Sequence, residues 1–342
     1  MIGSASSRAD LSQPLLRVEG LTVDFPVGGR RVAVVRDVGL AVGTREIVGL
    51  VGESGSGKSM TALALLRLVP APGRIAAGRV LLDGEDLLGL SEARLRRVRG
   101  RRIAMVFQEP ATALNPVYSI GFQIAEAVRA HRPLSRRAAL DEAARLLDLV
   151  ALPDPRRRLA DYPHQLSGGQ RQRVMIAMAL ASGPDLLLAD EPTTALDVTV
   201  QAQILELLER LRQELGLSVL LITHDLAVVA ETCERVVVMY CGEVVEEAGV
   251  QDLFARPAHP YTRALLAALP RLGAPAARGR LPAVPGQVPD PAARPSGCAF
   301  HPRCPEVFAP CPAVEPPLYV LPGERAARCL LHDPAVVAGE TA

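Results

Sequence analysis

Gly52-Glu53-Ser54-Gly55-Ser56-Gly57-Lys58-Ser59 decides the fold, because this stretch matches the pattern G-x-x-x-x-G-K-[ST] of a phosphate-binding loop. Glycines allow positive φ angles and close approach, so successive N–H groups of such a loop can converge on phosphate oxygens. The pattern requires a strand before the loop and a helix after it. Residues 45–51 predict a buried strand and residues 60–68 predict an apolar helix, which argues against a chance Gly/Ser turn.

Lys58 is the only lysine in the chain, although the chain contains 38 Lys and Arg residues. Lysine carries a compact point charge and arginine a flat fork, so a site that keeps lysine has no room for a guanidinium. We expect Lys58 to reach the β- and γ-phosphates of a nucleotide and the Ser59 hydroxyl to ligate Mg²⁺. The loop residues expected to bind nucleotide are Gly52, Glu53, Ser54, Gly55, Ser56, Gly57, Lys58, Ser59 and Met60.

Composition limits the class of protein. The 342 residues suit one large domain with an appendage, or two domains, and 49% of them are hydrophobic. A net charge of +1 gives no global field that favours nucleic acid. We expect a cytoplasmic chain, because no apolar run approaches the roughly 18 residues of a membrane span and the N-terminus up to Pro14 lacks a signal-peptide core. The six cysteines are then expected to be reduced or metal-bound.

Short apolar strands alternate with helices along the chain, which predicts an α/β fold with a mainly parallel sheet covered on both faces. The predicted strands are 16–25 (an edge strand) with 32–35 as its partner, 45–51, 101–107, 185–189, 218–223, and a hairpin over 235–247 around Cys241-Gly242. The predicted helices are 60–68, 120–129, 136–150, 168–181, 198–215 and 226–231. The β signal is absent from Pro110 to Tyr162, which predicts a helical insert. After about Arg256, and most clearly over 270–323, the Pro- and Ala-rich sequence predicts a tail with little regular structure that does not continue the sheet.

Two carboxylates follow the apolar strand that ends at Ala189. A strand buried in a parallel sheet delivers its last residues to the carboxyl edge, where ligands bind. We expect Asp190 to hold Mg²⁺ and Glu191 to orient and deprotonate the attacking water. The alternative is an acidic helix cap before Pro192.

A second anion site is predicted at Leu166-Ser167-Gly168-Gly169-Gln170, which precedes a helix. Ser167, Gly168, Gly169 and Gln170 would offer a hydroxyl and N–H groups at a helix N-terminus. One nucleotide does not need two such helix starts from one chain. We therefore expect a head-to-tail dimer, in which the Ser167 region of each subunit faces the phosphate loop of the other.

These motifs, in this order over roughly residues 15–270, resemble those of ABC-type ATPases. The resemblance implies a RecA-like P-loop ATPase core with an antiparallel β edge and a helical subdomain insert, and ATP with Mg²⁺ as its ligands. It also implies that Gln108 touches Mg²⁺, that Phe25 stacks on adenine and that His224 contacts the γ-phosphate as a catalytic switch. The residues implied to be catalytic are thus Glu191, His224, Gln108 and Lys58. The alternative for His224 is that it has no catalytic role and only precedes Asp225, which could cap the next helix.

Further stretches are similar to ATPase subunits of oligopeptide, dipeptide and nickel importers. They are Phe107-Gln108-Glu109-Pro110, Ala113-Leu114-Asn115-Pro116, His259-Pro260-Tyr261-Thr262-Arg263-Ala264-Leu265 and Gly297-Cys298-Ala299-Phe300-His301-Pro302-Arg303-Cys304. The resemblance implies an ATPase domain over 14–256, with its insert at about 110–162, and a C-terminal extension over 257–342. It also implies a second ATPase subunit, usually a paralogue, two membrane permeases that dock on the insert, an extracytoplasmic solute-binding protein and a place at the cytoplasmic face of the membrane. The alternative function is a soluble ABC-type NTPase that acts on nucleic acid or the translation machinery.

Four cysteines of the tail, Cys298, Cys304, Cys311 and Cys329, form the pattern C-x₅-C-x₆-C-x₁₇-C. Zinc sites usually contain C-x₂₋₄-C pairs, which this pattern lacks. Four soft thiolates suit an iron–sulfur cluster, and some importer ATPases that resemble this chain carry a [4Fe–4S] cluster on such a quartet. Zinc and four unligated thiols stay open as alternatives. Cys233 and Cys241 are expected to pack in the core.

Overall fold

The computed structural model describes residues 13–194, 196–269 and 284–337. Two expectations fall partly outside these ranges: the one on the N-terminus up to Pro14 and the one on the Pro- and Ala-rich stretch 270–323. The chain divides into two compact units. Of the described residues, the first unit contains 13–16, Ala41–Ile47 and Leu81–Ile222, and the second contains Arg17–Leu40, Val48–Val80 and those from Thr223 onward.

Strands and helices follow one another in the order expected of an α/β chain. The strands are β1 (Leu16–Val27), β2 (Arg30–Val42), β3 (Ile47–Val51), β4 (Arg74–Leu82), β5 (Glu85–Asp86), β6 (Ile103–Val106), β7 (Leu186–Asp190), β8 (Ser218–Thr223), β9 (Arg235–Tyr240), β10 (Glu243–Gly249), β11 (Tyr319–Leu321) and β12 (Arg325–Ala327). The helices are α1 (Lys58–Leu65), α2 (Glu92–Val98), α3 (Pro110–Ala113), α4 (Ile120–Arg129), α5 (Arg136–Leu149), α6 (Pro155–Arg158), α7 (Gly168–Ala179), α8 (Val198–Leu215), α9 (Leu226–Thr232), α10 (Val250–Ala255), α11 (Pro260–Ala267) and α12 (Pro334–Val337).

In the first unit, β6, β7 and β8 are parallel neighbours, with Leu186 of β7 opposite both Ile103 and Ser218. Every residue of β7 and β8 is buried, which is typical of strands covered on both faces. Between β6 and β7 the chain forms helices without a strand, as the sequence predicts for the insert. The hydroxyls of Ser119 and Ser135 cap α4 and α5 by accepting N–H groups of the first helical turns.

In the second unit, β3 and β9 are parallel and β9 forms an antiparallel hairpin with β10. The hairpin turns at Cys241 and Gly242, whose φ angles of 48° and 84° lie in the left-handed region. The sequence predicted this hairpin, and the structure confirms it. Cys233 and Cys241 belong to the hydrophobic cluster of this unit, as expected.

The expectation that β1 is an edge strand is wrong. The sheet order is β2-β1-β4-β5, so β1 has a neighbouring strand on both sides. Alternating burial along β1 shows that one face is covered, but it carries no information about whether the strand edges are paired. β4 was not predicted, because most of its residues are exposed and it contains Gly78, so it lacks the pattern of a strand.

The expectation that the tail does not continue the sheet is also wrong. β12 pairs antiparallel with β10, placing Ala327 opposite Glu246, and β11 pairs antiparallel with β12. Strands of three residues are too short for an alternating pattern to reveal. They form here because β10 offers backbone N–H and C=O groups along its edge.

None of the helices in the described ranges is both long and apolar enough to cross a membrane. The longest of them, α8, carries a polar face, since only five of its residues are buried.

A buried histidine begins α11 in the second unit. His259 is 1% exposed, and its Nδ1 accepts the backbone N–H of Tyr261 at 3.0 Å, which caps the helix. The fully buried Glu246 carboxylate accepts the N–H groups of Ala258 and His259 at 2.7 and 2.8 Å. Burial, together with the nearby positive charge of Arg263, lowers the pKa of His259 to about 3. Neutral His259 is therefore part of the folded state.

The pH dependence of stability tests this assignment. Unfolded His259 has an ordinary pKa and binds a proton below about pH 6.5, so its contribution to stability is complete above that pH and is lost as the pH falls towards 3. The expected slope is at most about 1.4 kcal/mol per pH unit. Between pH 7.5 and 5.0, wild type should lose more thermal stability than His259→Asn, which keeps the capping acceptor but does not titrate. Substitution of the exposed His164 by Asn should leave the wild-type slope, and equal slopes for wild type and His259→Asn would contradict the assignment.

Candidate functional site

The glycine loop lies between β3 and α1 and depends on two glycines. The φ angles of Gly52 and Gly57 are 153° and 101°. A Cβ atom at Gly52 would lie 2.2 Å from the carbonyl oxygen of Met239, and one at Gly57 would lie 2.9 Å from that of Val34. Backbone from two other segments therefore packs where side chains would be, which only glycine permits. The strand, loop and helix that the motif requires are all present.

Lys58 is the first residue of α1 and is 5% exposed. Its Nζ donates to the carbonyl oxygens of Gly52 and Glu53 at 2.7 and 3.0 Å and lies 3.5 Å from Ser56 Oγ. The ammonium is thus held across its own loop. Gly57 caps α1 without a side chain, so the N–H groups of the first turn keep the geometry of an anion site. Ser59 and Met60 follow in the same turn.

The carboxylate pair lies at the end of β7 in the first unit. Asp190 is 4% exposed, and Glu191 has a φ of 46°, so the chain leaves the strand sharply at this point. Glu191 Oε2 accepts hydrogen bonds from Gln108 Nε2 at 3.0 Å and from the Thr194 hydroxyl at 2.8 Å. The structure therefore brings together Gln108 and Glu191, which are 83 residues apart. A turn rather than a helix follows Asp190, so the alternative of a helix cap before Pro192 is wrong.

His224 follows the last residue of β8 and is exposed. The Asp225 carboxylate accepts the N–H of Ala227 at 2.8 Å and caps α9. Asp225 thus has the capping role that the alternative interpretation gave it. This role leaves the imidazole of His224 outside the cap, so a second role for His224 is compatible with it.

Ser167 and Gln170 form a capping box at the start of α7. The Ser167 hydroxyl accepts the N–H of Gln170 at 3.3 Å, and Gln170 Oε1 accepts the N–H of Ser167 at 3.0 Å. A Cβ atom at Gly169 would lie 2.4 Å from a methyl carbon of Val200, so this glycine is required for α7 to pack beside α8. Ser167 and Gly168 are exposed, as a surface that meets a second subunit would be.

Phe25, the residue expected to stack on adenine, is half-buried near the end of β1. A Cβ atom at Gly73 would lie 2.4 Å from its ring, so part of the ring packs on that glycine. Asp24 beside it bonds Arg31 and Arg74, and these bonds hold the pKa of Asp24 below its ordinary value although burial alone would raise it.

The four tail cysteines are close enough for their thiols to influence one another. Burial raises the pKa of Cys298, of Cys304 and, to about 12, of Cys329, and nearby thiols of the quartet raise each further. The N–H of Cys298 donates to the carbonyl oxygen of Cys311 at 2.9 Å. Within residues 13–194, 196–269 and 284–337, however, no three His, Cys, Asp or Glu side chains have the arrangement of a metal site.

The sequence did not reveal how closely the tail contacts the phosphate loop. Arg303, one residue before Cys304, donates two hydrogen bonds to the Glu53 carboxylate, and the Tyr261 hydroxyl accepts the N–H of Glu53. Both tail residues belong to stretches noted above only for their family resemblance. A pairing of charges 250 residues apart leaves no trace in local periodicity.

A glycine loop that follows a buried strand and opens a helix defines a P-loop nucleotide-binding protein. Residues 35–194 match the family model described as ABC transporter, and residues 245–311 match the model described as Oligopeptide/dipeptide transporter, C-terminal region. A Brucella abortus protein named "Putative peptide import ATP-binding protein" is 53% identical over 317 residues, which cover 92% of this chain and 94% of that protein. A Brucella melitensis protein of the same name is 51% identical over 328 residues, which cover 93% and 97%.

Solved structures agree with this assignment. The ATP-binding cassette MJ0796, in a dimeric state bound to ADP and Pi, is 31% identical with a TM-score of 0.60 and covers 69% of this chain and 98% of its own. CbiO1 of Clostridium perfringens, at 24% identity and a TM-score of 0.61, covers 71% and 92% and shows the fold alone. The chain therefore belongs to the ABC transporter family, as an ATP-binding subunit with the C-terminal region of the oligopeptide/dipeptide type. It is an ATPase coupled to transport, and the predicted fold class and transport function are confirmed.

The burial of Lys58 generates a test by a mild substitution. Lys58→Arg keeps the positive charge but places a larger, planar group where a compact ammonium contacts three loop oxygens. We expect the variant to lose at least about 100-fold in ATP hydrolysis, as on removal of one preorganised charge contact in an active site. The steady-state ATPase rate measures this loss. The control is Arg137→Lys, which exchanges arginine and lysine at an exposed position and should leave the rate unchanged. Near-normal hydrolysis by Lys58→Arg would show that lysine is not required at this position.

Proposed function

We propose that this subunit drives the uptake of oligopeptides or dipeptides. Support comes from the C-terminal region, which matches the family model of the oligopeptide/dipeptide type, and from the names of relatives that match over nearly the whole chain. The single observation that supports ATP as the energy source is the phosphate loop with its buried lysine, Lys58. Nickel, the other solute that the sequence resemblance allows, is an outcome that the transport experiment distinguishes.

The roles proposed for the phosphate-loop residues follow from their contacts. Lys58 exchanges part of its hydrogen bonding to loop carbonyls for the β- and γ-phosphates of ATP. Backbone N–H groups of the loop and of the first turn of α1 donate hydrogen bonds to the phosphate oxygens. Phe25 is proposed to stack on adenine.

The carboxylate edge is proposed to bind Mg²⁺ and to activate water. The oxygen donors Ser59, Gln108 and Asp190 suit Mg²⁺, a hard cation that neutralises charge on the β- and γ-phosphate oxygens when bound. Glu191 orients the attacking water and takes its proton. Gln108 and Thr194 donate hydrogen bonds to Glu191 Oε2 and so orient the carboxylate that is proposed to act as the base. His224 is proposed to contact the γ-phosphate.

The proposed assembly contains more than this chain. Ser167, Gly168, Gly169 and Gln170 would face the phosphate loop of a second ATPase subunit, a paralogue, in a head-to-tail dimer. Two permeases would dock on the helical insert at about 110–162, and an extracytoplasmic binding protein would deliver the solute. The ATPase domain would comprise residues 14–256 and the extension residues 257–342, with the subunit held at the cytoplasmic face of the membrane by its permeases.

Transport in vesicles tests the proposed function. Reconstituted with its partner ATPase, permeases and binding protein, the subunit should support ATP-dependent peptide uptake. Glu191→Gln should still bind ATP but lose about 10²–10⁴-fold in hydrolysis, because it removes the general base. Glu206→Gln, at an exposed position of α8, should behave as wild type. Nickel uptake without peptide uptake would contradict the proposed solute, and full hydrolysis by Glu191→Gln would contradict the role of Glu191.

We propose, in addition, that Cys298, Cys304, Cys311 and Cys329 hold a [4Fe–4S] cluster. The donor set is four soft sulfurs whose thiols influence one another. Because the pKa values of Cys298, Cys304 and Cys329 are raised, cluster binding must release protons from these thiols. A cluster would also stabilise a tail whose described part contains little regular structure.

Anaerobic purification tests the cluster directly. Wild type should be brown, with about four iron atoms per chain if one [4Fe–4S] cluster is bound. Cys304→Ser should lose the colour and most of the iron. Cys233→Ser, which changes a cysteine outside the quartet, should keep both. A colourless wild type without iron, or one that contains zinc instead, would contradict this proposal.

A further inference from the structure

Glu53, the second residue of the phosphate loop, is held by the C-terminal extension. Arg303 Nη1 donates to Glu53 Oε2 at 2.8 Å and Nη2 donates to Oε1 at 3.0 Å, a bidentate pair. The Arg303 side chain is 5% exposed and that of Glu53 is 29% exposed. An ion pair that is largely removed from water and has two parallel hydrogen bonds fixes orientation far better than a surface pair.

Arg303 is itself held from several sides. Its Nε donates to the carbonyl oxygen of Pro285 at 2.6 Å, and its guanidinium lies 5.7 Å from the centre of the Tyr240 ring. Tyr240 in turn packs against Tyr261 and Phe300, with ring centres 4.7 and 5.2 Å away. The guanidinium that binds Glu53 is therefore packed against a cluster of buried aromatic side chains.

A second contact fixes the backbone of the same loop residue. The Tyr261 hydroxyl accepts the N–H of Glu53 at 2.9 Å, and Tyr261 is fully buried. The carbonyl oxygen of Glu53 is one of the acceptors of Lys58 Nζ. Side chain, N–H and carbonyl of Glu53 are thus all engaged, and the last of them is bonded to the lysine that we assign to the phosphates.

We propose that Arg303 and Tyr261 are positioning residues for ATP: they hold Glu53, and through it Lys58, in the conformation that binds phosphate. The inference rests on the proposed phosphate role of Lys58. Neither residue needs to touch the nucleotide. If loss of the pair leaves only about a tenth of the loops in the binding conformation, apparent ATP affinity falls about tenfold, because affinity scales with the competent fraction.

The test measures the dissociation constant of ATP and the thermal unfolding midpoint of the full chain. Arg303→Met keeps most of the apolar stem and removes the fork, and Glu53→Gln removes the charge that the fork binds. Each should weaken ATP binding about tenfold. The double variant should also lose about tenfold, not about 100-fold, because the two side chains act through one contact.

A matched control lies in the same extension. Arg328 donates to the carbonyl oxygen of Val244 and reaches Asp37, away from the loop. Arg328→Met removes a charge whose side chain is 12% exposed, against 5% for Arg303. It should bind ATP within about twofold of wild type, as expected of a site that is independent of the loop. If Arg303→Met fails to fold, Arg303→Lys and Tyr261→Phe replace it, since each keeps the packing and should still weaken binding about threefold.

The inference would be overturned by wild-type affinity in Arg303→Met, by multiplied losses in the double variant, or by an equal loss in Arg328→Met. Wild-type affinity in both Arg303→Lys and Tyr261→Phe would also overturn it. Failure of the wild-type chain to bind ATP would instead contradict the proposed nucleotide site. The two failures are therefore distinguishable.

Discussion

The conformation of the glycine loop is the constraint on which the rest of the structure depends. At Gly52 and Gly57 a side chain would collide with carbonyl oxygens of other segments. The loop therefore packs directly against backbone from elsewhere in the second unit, which only glycine permits. The Lys58 side chain then crosses the loop, and its ammonium donates hydrogen bonds to two carbonyl oxygens of the loop. A loop in this conformation can meet the charge of a triphosphate with groups that are already in place, which is how phosphoryl-transfer sites obtain most of their effect.

The C-terminal extension packs against the rest of the second unit and contacts the phosphate loop. It adds β12 to β10, inserts Phe300 into the aromatic cluster beside Tyr240, and returns Arg303 to Glu53. Fixing the several glycines of the loop in one conformation costs conformational entropy, which without the extension the loop would have to offset alone. The extension offsets part of that entropy through contacts at one loop residue. In this subunit the C-terminal extension therefore helps to hold the phosphate loop in its conformation.

Local signals explain which elements the sequence predicted well. The helix 198–215 and the strand 218–223 coincide with α8 and β8, because Asp197 caps the helix and Gly216, with a φ of 68°, ends it. The loop, the carboxylate pair and the helical insert were predicted for the same reason. The neighbours of β1, the strands of the tail and the Glu53–Arg303 pair were not, because each is decided by a partner far along the chain. Side-chain patterns record which face of an element is buried, but not which element covers it.

The most direct measurement is amide hydrogen exchange of the nucleotide-free chain, compared between wild type and Arg303→Met. Exchange reports local opening of the backbone, so it observes the loop without ATP or turnover. The account predicts faster exchange over residues 52–59 in the variant, with no change over β7, which lies in the first unit. Equal exchange over 52–59 in the two proteins would contradict the claim that the extension holds the loop in its phosphate-binding conformation.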